Sequence, residues 1–521
     1  MTILTFHMDM KNFALSITML CVFSSVFSQK DYSIKYANTI TSDELKEHLS
    51  ILASDALEGR ETGERGQKMA AAYIEHYFES NGLEPIVNTP SGNSYLQSFD
   101  LVRIHPGKTW MKTEDNTYEN RLDFVYTGKA NFTEPAKTKL VFVGEGNEAD
   151  YKAIKAQGNS VIIFSEGDRV SRNKKTELAY EHGARNVFIM QSGTLDNFKR
   201  TVNMYKRYTS SGRLSLPPET DDVDRGYFHI SLSMGTEILK SNEKTILNSI
   251  EKAKTGKYGS LLKIKSEEVI FFASQQIEEV TTENVLGFIE GTDKKDEYII
   301  LTAHYDHIGV RGEEINNGAD DDGSGTVAVM EIAQAFSIAK KAGHGPRRSI
   351  LFMTVTGEEK GLLGSSYYVT HPTLPLENTI TNLNIDMIGR VDSKHEETPN
   401  YIYLIGSDKL SKELHELSED TNLTYSQLEF DYSYNSDDDP NRFYYRSDHY
   451  NFVKNNIPVI FYFNGTHPDY HRPTDTVDKI AFDVLTNRTK LIFHTTWEIA
   501  NRDARITVDV NPEERKIENA N

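Results

Sequence analysis

Carboxylates and histidines that could do chemistry together recur at separate places in the second half of the chain. The stretch "GADDDGSG" (318–325) sets three carboxylates in a row between glycines, directly before a segment with a helical pattern. Crowded carboxylates that are buried without a counter-charge would protonate or destabilise the fold, so a cation is needed to offset them. Further candidates each follow an apolar run: His304, Asp306, Glu358, Glu359, Asp386 and His471. Together these residues predict a metal site.

The residue types narrow the chemistry of that site. One carboxylate can bridge two divalent cations that lie ~3.5–4 Å apart. The available set then divides evenly: one bridging Asp, and for each cation one His and one further carboxylate. Nitrogen and oxygen ligands without sulfur suit Zn²⁺, with Co²⁺ or Mn²⁺ as alternatives.

Two accessory roles follow from local geometry. Asp306 comes two residues after His304, so on an extended chain both side chains point to the same side. Asp306 can then accept the second imidazole N–H and fix the tautomer. The adjacent side chains of Glu358 and Glu359 diverge, so one can bind metal while the other takes a proton from water as a general base.

The elements that must position these groups alternate between strands and helices. Helices are predicted between several of the strands, one beginning at Ser324 and the last over residues 483–501. In open α/β sheets the ligand crevice lies outside the carboxyl ends of the strands, so separate segments deliver their acids and imidazoles to one rim. We predict an α/β fold with a mixed, mostly parallel sheet flanked by helices. Apolar runs typical of strands buried on both faces occur at 285–290, 298–303, 349–356, 380–385, 401–405 and 458–463.

The first half of the chain predicts helices and an inserted domain. Thr41 and Glu44 form a capping box for a helix over 41–52, and Asn81-Gly82 ends a second helix over 67–80. Residues 125–275 contain strand-like runs but no cluster of His with carboxylates, and we interpret them as an inserted domain. The predicted boundaries are 1–28 for a signal peptide, 29–124 and 276–505 for the two parts of a catalytic domain, 125–275 for the insert and 506–521 for a tail.

The N-terminal segment resembles a secretory signal. Lys11 precedes an apolar run from Phe13 to Phe27, and the small residue Ser28 follows. The run is shorter than the ~20 residues that a membrane span needs; an uncleaved anchor is the alternative interpretation. Removal of the segment predicts an extracytoplasmic protein, secreted or periplasmic, with no membrane span in the mature chain. It also removes Cys21, the only cysteine, which excludes disulfides and a cysteine nucleophile.

Chain length and net charge limit the number of domains and the kinds of partner that are expected. A chain of 521 residues is too long for one ordinary core, so two domains are expected. The 57 basic and 77 acidic residues give a net charge of −20. Because phosphate binding needs a basic face, this balance argues against nucleic acid as a partner.

Several motifs, in order and spacing, resemble those of the di-zinc aminopeptidase family, peptidase family 28. They are "AHYDHIG", "NNGADDDGSG", "TGEEKGLLGS", "NIDMIG", "RSDHYNF" with "NIPVIF", and "YHRPTDT". The family includes secreted bacterial leucyl aminopeptidases and, more distantly, glutamate carboxypeptidase II, glutaminyl cyclase and the transferrin receptor. The resemblance covers residues 283–480 and, more weakly, 41–85. It implies the zinc exopeptidase fold, and residues 125–275 resemble a β-rich protease-associated domain.

The resemblance also implies a role for each matched residue. Peptides with a free N-terminus would be the substrates, and a water shared by two Zn²⁺ ions would attack the peptide bond. The implied roles are His304 and Asp386 for one zinc, Glu359 and His471 for the other, Asp321 as the bridge, Glu358 as the general base, Asp306 as the partner of His304, and Tyr470 as an oxyanion donor.

Other functions remain open at this point. A carboxypeptidase that releases glutamate would need a basic pocket, for which Arg442, Arg446 and Arg472 are candidates. A glutaminyl cyclase works with one metal, whereas this chain keeps ligands for two. A non-catalytic binding ectodomain is disfavoured by the complete set of ligands and by Glu358.

Some neighbouring residues have structural interpretations. Asp320 and Asp322 either cap the following helix or hydrogen-bond to ligands. We interpret His307 and His449 as structural, and Asp448 as a support for the site. The acids at 437–439 suggest a calcium site as one interpretation. Because EF-hand spacing does not accompany them, a solvated acidic loop is the favoured interpretation.

Overall fold

The computed structural model of the protein describes residues 32–128, 131–166, 169–208, 212–217 and 226–510. The predicted signal peptide and residues 511–521 of the predicted tail lie outside the described residues. The described chain divides into two compact units: one takes the residues up to Asp100 and from Thr281 onward, and the other spans Leu101–Val280. No described helix is both long and apolar enough to cross a membrane.

The helices and strands follow in chain order. The N-terminal stretch has α1 (Ser42–Leu52), α2 (Arg65–Asn81), β1 (Val87–Thr89), β2 (Gly92–Ser94) and β3 (Leu96–Lys112). The middle stretch has β4 (Thr117–Glu119), β5 (Val125–Gly128), β6 (Ala136–Gly144), α3 (Glu148–Ala153), β7 (Ser160–Ser165), α4 (Arg169–Glu181), β8 (Val187–Gln191), α5 (Leu195–Tyr208), β9 (Arg213–Ser215), β10 (Gly226–Ser231), α6 (Leu232–Ile238), α7 (Glu243–Lys254) and β11 (Glu268–Ile289).

The C-terminal stretch carries most of the strands that matter for the site. It has β12 (Lys294–His304), β13 (Gly309–Arg311), β14 (Glu314–Asn316), α8 (Gly325–Lys341), β15 (Arg348–Val355), α9 (Leu363–Thr370), β16 (Thr379–Ile385), β17 (Tyr401–Ile405), α10 (Lys412–Tyr425), β18 (Glu429–Asp431), α11 (His449–Val453), β19 (Val459–Phe463) and α12 (Phe482–Asn501).

Local signals set the ends of the N-terminal helices. The Thr41 hydroxyl accepts the backbone N–H of Glu44 at 3.2 Å, which satisfies a donor that the first turn of α1 leaves free. Gly82 follows α2 in the left-handed conformation, with φ 78°, and ends it. Both predicted helices are confirmed.

The first unit is built on a mixed sheet with the strand order β18-β17-β19-β16-β12-β15-β11. β19, β16, β12 and β15 run parallel to one another, whereas β11 is antiparallel to β15 and β17 is antiparallel to β19. All eight residues of β15 and all seven of β16 are buried, as expected for strands that helices cover on both faces.

Alternation along β12 shows which helices cover each face. Leu301 packs in a core with Phe336 of α8 and Phe493 of α12. Ile300 belongs to a second core, which contains Tyr368 of α9 and Phe452 of α11. Successive side chains of a strand point to opposite faces, so the sheet is the middle layer between two helical layers. This arrangement confirms the predicted α/β fold.

The second unit has a sheet and a core of its own. β6, β7, β8 and β10 run parallel in that order, and β5 is antiparallel to β10. Every residue of β7 is buried, and its side chains pack with residues of α6 and α7. The interpretation of residues 125–275 as a protease-associated-like insert stays a prediction.

Candidate metal centre

Neighbouring parallel strands deliver the candidate ligands to one edge of the sheet. β12 ends at His304, and β16 ends at Ile385 directly before Asp386. Glu358 and Glu359 follow β15 in the chain, and His471 follows β19. Asp321 comes from the turn before α8, which lies against the same edge. The carboxyl ends of parallel neighbours meet, so residues far apart in sequence converge there.

Asp321 lies at the centre of the cluster. Its Oδ1 is 3.4 Å from Nε2 of His304, and its Oδ2 is 3.1 Å from Nε2 of His471. One carboxylate therefore spans two histidines that lie far apart in the sequence.

Each of these histidines has a second carboxylate nearby. Nε2 of His304 lies 3.6 Å from Oδ1 of Asp386, and Nε2 of His471 lies 3.4 Å from Oε2 of Glu359. The structure thus brings together all five residues that the sequence analysis selected as ligands, as two His–carboxylate pairs that share Asp321.

The donor atoms fit a divalent cation such as Zn²⁺. Nε2 of His304, Oδ2 of Asp321 and Oε1 of Glu359 are buried and have no hydrogen-bond partner. An orphaned buried polar atom costs ~1–3 kcal/mol, so several together need a common partner. Two groups have ligand atoms that all lie within 4.8 Å of one another: His304, Asp322 and Asp386 form one group, and His307, Asp321 and Glu359 form the other. Nitrogen and carboxylate donors at such spacing suit zinc.

The orientation of His304 is set through its other ring nitrogen. Nδ1 lies 3.0 Å from the backbone carbonyl of Asp306, which can only accept, so Nδ1 carries the hydrogen. In the neutral imidazole, Nε2 then keeps its lone pair, which a cation can bind.

The acceptor differs from the one expected from the sequence. The carboxylate of Asp306 lies 3.8 Å from Nδ1 of His304, beyond hydrogen-bond distance. It accepts instead from the Thr62 hydroxyl at 2.7 Å and from the backbone N–H of Glu358 at 3.2 Å. β12 ends at His304, so the alternation of an extended strand does not continue to Asp306. Asp306 therefore ties the His304 turn to the glutamate turn.

The other two acids of the triplet hold the backbone around Asp321. Asp322 accepts the N–H groups of Gly325 and Met387, both at 2.9 Å, which caps α8 and fixes the turn after β16. Asp320 accepts the N–H of Gly389 at 2.7 Å and lies 3.1 Å from Nε2 of His467. Asp322 also accepts the backbone N–H of the ligand candidate His304 at 3.2 Å, so both interpretations, helix capping and a hydrogen bond to a ligand, apply to Asp322.

The charges around Asp321 and Glu358 act in opposite directions. Burial alone would raise the pKa of Asp321, but His307, His304 and His471 hold that pKa well below its usual range. Burial raises the pKa of Glu358 well above its usual range, and Asp386 adds to the rise although His304 opposes it. Asp321 is thus kept as an anion, whereas Glu358 readily holds a proton.

A cleft opens next to these residues. Glu358 lies on its wall with Oε2 3.9 Å from Nε2 of His304, and Tyr470 stacks on the His471 ring at 3.8 Å. The Tyr470 hydroxyl accepts a hydrogen bond from Nη2 of Arg446 at 3.3 Å, which leaves its own hydrogen free to donate. The lining residues are Asp321, Glu358, Asp386, Met387, Phe443, Arg446, Phe461, Phe463, Tyr470 and His471.

An arginine that the sequence analysis missed holds two ligand-bearing turns. The guanidinium of Arg60 is fully buried and donates to the backbone carbonyls of Tyr305, Asn317 and Gly318 at 2.7–2.9 Å, and to that of Leu52 at 2.6 Å. Burial lowers its pKa to about 10, so it stays positive at neutral pH, where it faces nearby acids such as Asp306. The only sequence signal was its place in "EGRETGERG", a loop rich in charge.

The remaining candidates separate into residues near the cluster and residues away from it. His307 is buried with Nδ1 2.9 Å from Oε1 of Glu359, so the structure brings it to the cluster. His449 stacks on Phe461, and its Nε2 lies 2.9 Å from the Tyr444 carbonyl, as expected for a structural residue. Asp448 accepts a hydrogen bond from Ser365 at 2.5 Å.

The acidic loop at 437–439 shows turn geometry. Asp439 accepts the backbone N–H groups of Asn441 and Phe443, both at 3.0 Å, and Asp437 pairs with Lys409 at 2.5 Å. Among the described residues, the groups able to hold a metal ion lie in the cluster around Asp321 and not in this loop. The favoured interpretation as an acidic loop agrees with these contacts.

Known proteins resemble this chain in the region that contains the candidate metal centre. The sequence model of peptidase family M28 matches residues 284–496, which contain every ligand candidate. A relative from Arabidopsis thaliana named "Probable glutamate carboxypeptidase AMP1" is 25% identical over 342 residues, which is 60% of this chain and 47% of the relative. A Bacillus subtilis relative named "Aminopeptidase YwaD" is 26% identical over 230 residues, which is 43% of this chain and 46% of the relative.

The names of these two relatives give different activities, and the chain matches only part of each relative. The chain spans less than half the length of each of the two. Among solved structures, an aminopeptidase from Aneurinibacillus sp. strain AM-1 superposes with a TM-score of 0.55 at 19% identity, covering 92% of this chain and 98% of that one. This similarity shows a shared fold. Residues 284–496 of the chain therefore form a domain of peptidase family M28.

Proposed function

We propose that this protein is a zinc-dependent aminopeptidase that hydrolyses N-terminal residues from peptides. The observation that carries the proposal is the pair of His–carboxylate groups joined by Asp321, with Glu358 beside them on the wall of a cleft. Two Zn²⁺ ions per chain would be held by His304, Asp321, Glu359, Asp386 and His471, with Co²⁺ or Mn²⁺ as substitutes. When bound, the ions supply Lewis-acid chemistry that acidifies water and polarises the scissile carbonyl.

Glu358 acts as the proton carrier of the reaction. Its raised pKa suits a group that takes a proton from the attacking water and returns it to the leaving amine. The backbone N–H of Glu358 donates to Asp306, which fixes the turn that carries this carboxylate.

Tyr470 and the acids of the cleft orient the substrate. The Tyr470 hydroxyl, held by Arg446, donates its free hydrogen to the developing oxyanion. The substrate's α-amino group, as the neutral amine, would lie beside the ligand candidates Asp321 and Asp386 on the cleft wall. The name of a relative, "Aminopeptidase YwaD", supports release from the N-terminus.

A test of the aminopeptidase proposal uses one peptide set in two forms. Peptides with free N-termini should release N-terminal amino acids in sequence, and their N-acetylated forms should stay intact. Chelation of zinc should stop release, and added zinc should restore it. Protein that carries two zinc ions per chain but leaves free peptides uncut would contradict the proposal.

The alternative is an exopeptidase of the glutamate carboxypeptidase type. The observation that favours it is Arg446, a cation on the cleft wall that could bind a substrate carboxylate. Leu-p-nitroanilide and an N-acylated dipeptide with C-terminal glutamate separate the two activities. If only the dipeptide is cleaved, and if Arg446→Leu removes that cleavage, the carboxypeptidase assignment replaces ours.

We also propose that the protein works outside the cytoplasm after removal of residues 1–28. The charged start and short apolar run of the segment support export. N-terminal sequencing of the protein from fractionated cells should find a chain that starts just after Ser28, in the periplasm or the medium. A chain that retains Lys11 and sediments with membranes would favour the anchored alternative.

A further inference from the structure

His307 lies in the cluster without a role in the ligand assignment above. It follows β12 three residues after His304, and its side chain is fully buried. Nδ1 is 2.9 Å from Oε1 of Glu359 and 3.8 Å from Oδ2 of Asp321. Its backbone N–H donates to the carbonyl of Arg60, which anchors the residue in place.

Neither ring nitrogen of His307 makes a hydrogen bond. Other buried histidines of the described chain use at least one: Nε2 of His449 lies 2.9 Å from a carbonyl, and Nδ1 of His395 lies 2.8 Å from an Asp392 carboxylate oxygen. Burial of an imidazole with both nitrogens unsatisfied is costly, so His307 needs a partner of another kind.

The contact between His307 and Glu359 has the length expected between two ligand atoms of one cation, but it does not have the geometry of a hydrogen bond. Nδ1 is close to Oε1, yet both atoms remain without a hydrogen-bond partner. Ligand atoms bound ~2.0–2.2 Å from one zinc lie ~3–4 Å apart. The distances of 2.9 and 3.8 Å from Nδ1 to the two carboxylates match that spacing.

The backbone makes room for this ring. A Cβ at Gly318 would lie 2.5 Å from Cγ of His307 and 2.1 Å from the Asp321 carbonyl oxygen, so no side chain fits there. The ring centroids of His307 and His471 are 6.0 Å apart and the rings are inclined by 68°, so they approach the two carboxylates from different sides.

We infer that Nδ1 of His307 is a further ligand of the cation held by Asp321, Glu359 and His471. This cation then has four residues as ligands, whereas the cation at His304 has three. The inference rests on the two-zinc part of the proposed function and is independent of which peptides are cleaved. It predicts that the cation at His307 is bound more tightly than the ligand set of three would allow.

The decisive measurement is metal affinity in the full chain. His307→Asn should weaken zinc binding at one of two sites by more than ~100-fold, beyond the 10–100-fold typical of residues that only hydrogen-bond a ligand. His229→Asn is the matched control, because His229 is also a buried imidazole with an unpartnered Nε2 but lies in the second unit. It should leave both zinc affinities unchanged. Circular dichroism checks that both variants are folded.

A spectroscopic test uses the fact that Cys21 is the only cysteine of the chain. In a C21S background, His307→Cys places the sole thiol at position 307. With Co²⁺ bound, coordination by this thiolate should give an intense near-ultraviolet charge-transfer band that C21S alone lacks.

Each outcome decides the inference. An affinity loss above 100-fold, or the charge-transfer band, supports coordination. A loss below 100-fold without the band overturns it and leaves His307 as a neighbour of Glu359. If His307→Cys takes up no second Co²⁺, the zinc affinity of His307→Asn decides alone. Because the readouts are metal affinity and absorption, they stand even if the peptidase proposal fails.

Discussion

At the scale of single residues, the site depends on keeping opposite charges in contact inside the protein. Asp321 is surrounded by His304, His307 and His471, which favour its anionic form. Glu358 lies only 3.9 Å from His304, yet burial raises its pKa, as its proposed role as a proton acceptor requires. Two carboxylates in one cluster therefore have different protonation behaviour, as a ligand and a general base require.

The general-base role can be tested with the neutral isostere of Glu358. Glu358→Gln should keep both zinc ions, because Glu358 is not among the predicted ligands. It should lower kcat by about 10²–10⁴-fold, the usual contribution of a general base. Zinc content and steady-state hydrolysis of Leu-p-nitroanilide measure the two effects.

The matched control is the neighbouring ligand candidate. Glu359→Gln should lose zinc as well as activity, since Glu359 lies 3.4 Å from His471. A Glu358→Gln protein that retains near wild-type turnover would remove Glu358 from the mechanism.

At the scale of elements, the N-terminal segment sets the geometry of the ligand turns. Arg60 donates to carbonyls of the turns after β12 and after β14, and Thr62 donates to Asp306. Glu61 lies between them and pairs with Lys360, which follows Glu359. Three consecutive residues thus hold three of the turns that carry metal-ligand candidates, so their effect on the site is one of positioning.

Replacement of Arg60 should affect stability and metal binding together. Arg60→Met leaves buried carbonyls unsatisfied, at a cost of ~1–3 kcal/mol each, and frees the turns of His304 and Asp321. We expect lower thermal stability and weaker zinc binding, measured by thermal unfolding and zinc titration. Arg60→Lys keeps the charge and some of the hydrogen bonds, so its thermal stability and zinc affinity should lie between those of the wild type and Arg60→Met.

Arg348 provides the control for this prediction. It is also fully buried and donates to backbone carbonyls, those of Ile499, Arg502 and Ala504, but it lies at the start of β15, away from the metal-ligand candidates. Arg348→Met should lower stability without changing zinc affinity. Equal zinc affinity in both methionine variants would show that Arg60 acts on stability alone.

A buried glutamate of α8 gives the fold a pH dependence. Burial raises the pKa of Glu331 to about 8, although the Tyr77 hydroxyl donates to it at 2.9 Å; Nε2 of His48 lies 3.5 Å away. Between pH 4.5 and about 8 the folded state holds a proton that the unfolded chain has lost. The free energy of unfolding therefore falls as pH rises through this window.

Glu331→Gln should remove this dependence. The variant should match the wild type near pH 4.5, where both side chains are neutral, and should exceed its stability near pH 9 by on the order of a few kcal/mol. Urea unfolding at the two pH values measures the difference. The exposed substitution Glu313→Gln is the control and should change the free energy of unfolding only slightly. An effect of Glu331→Gln on stability that does not depend on pH would contradict the raised pKa.

At the scale of the whole molecule, the candidate metal site lies where the sheet meets its helices. Its ligand candidates come from turns that follow β12, β15, β16 and β19 and precede α8. Without a counter-charge these turns carry mutually repelling acids in a buried place. Bound cations should therefore stabilise the folded state of the first unit as well as support chemistry.

Removal of zinc should lower thermal stability. A ligand that binds only the folded state raises the free energy of unfolding by about 2.7 kcal/mol when its free concentration is 100 times its Kd. We expect chelation to lower Tm by several degrees and zinc to restore it, measured by calorimetry. Asp321→Ala should no longer respond to zinc, and an equal response in that variant would place the stabilising ion elsewhere.

The sequence by itself determined the elements and the ligand candidates. The apolar runs became β12, β15, β16, β17 and β19, and the Thr41 cap and Gly82 set the ends of their helices, as predicted. Position after a buried strand or before a helix marked a set of acids and imidazoles as candidates, and the family resemblance implied the five ligands among them. These are local signals, since periodicity, capping and position after a strand involve residues within one element.

Only the tertiary structure decided how the site is held. It places His307 in contact with Glu359. The ring N–H of His304 donates to the Asp306 backbone carbonyl and not to the Asp306 carboxylate. Arg60 hydrogen-bonds to turns that lie about 250 residues away in the sequence. The tertiary structure also placed Arg446, of the three arginine candidates, on the cleft wall. Such contacts depend on how separate elements pack and on where the chain leaves extended geometry, and no local pattern in the sequence encodes either.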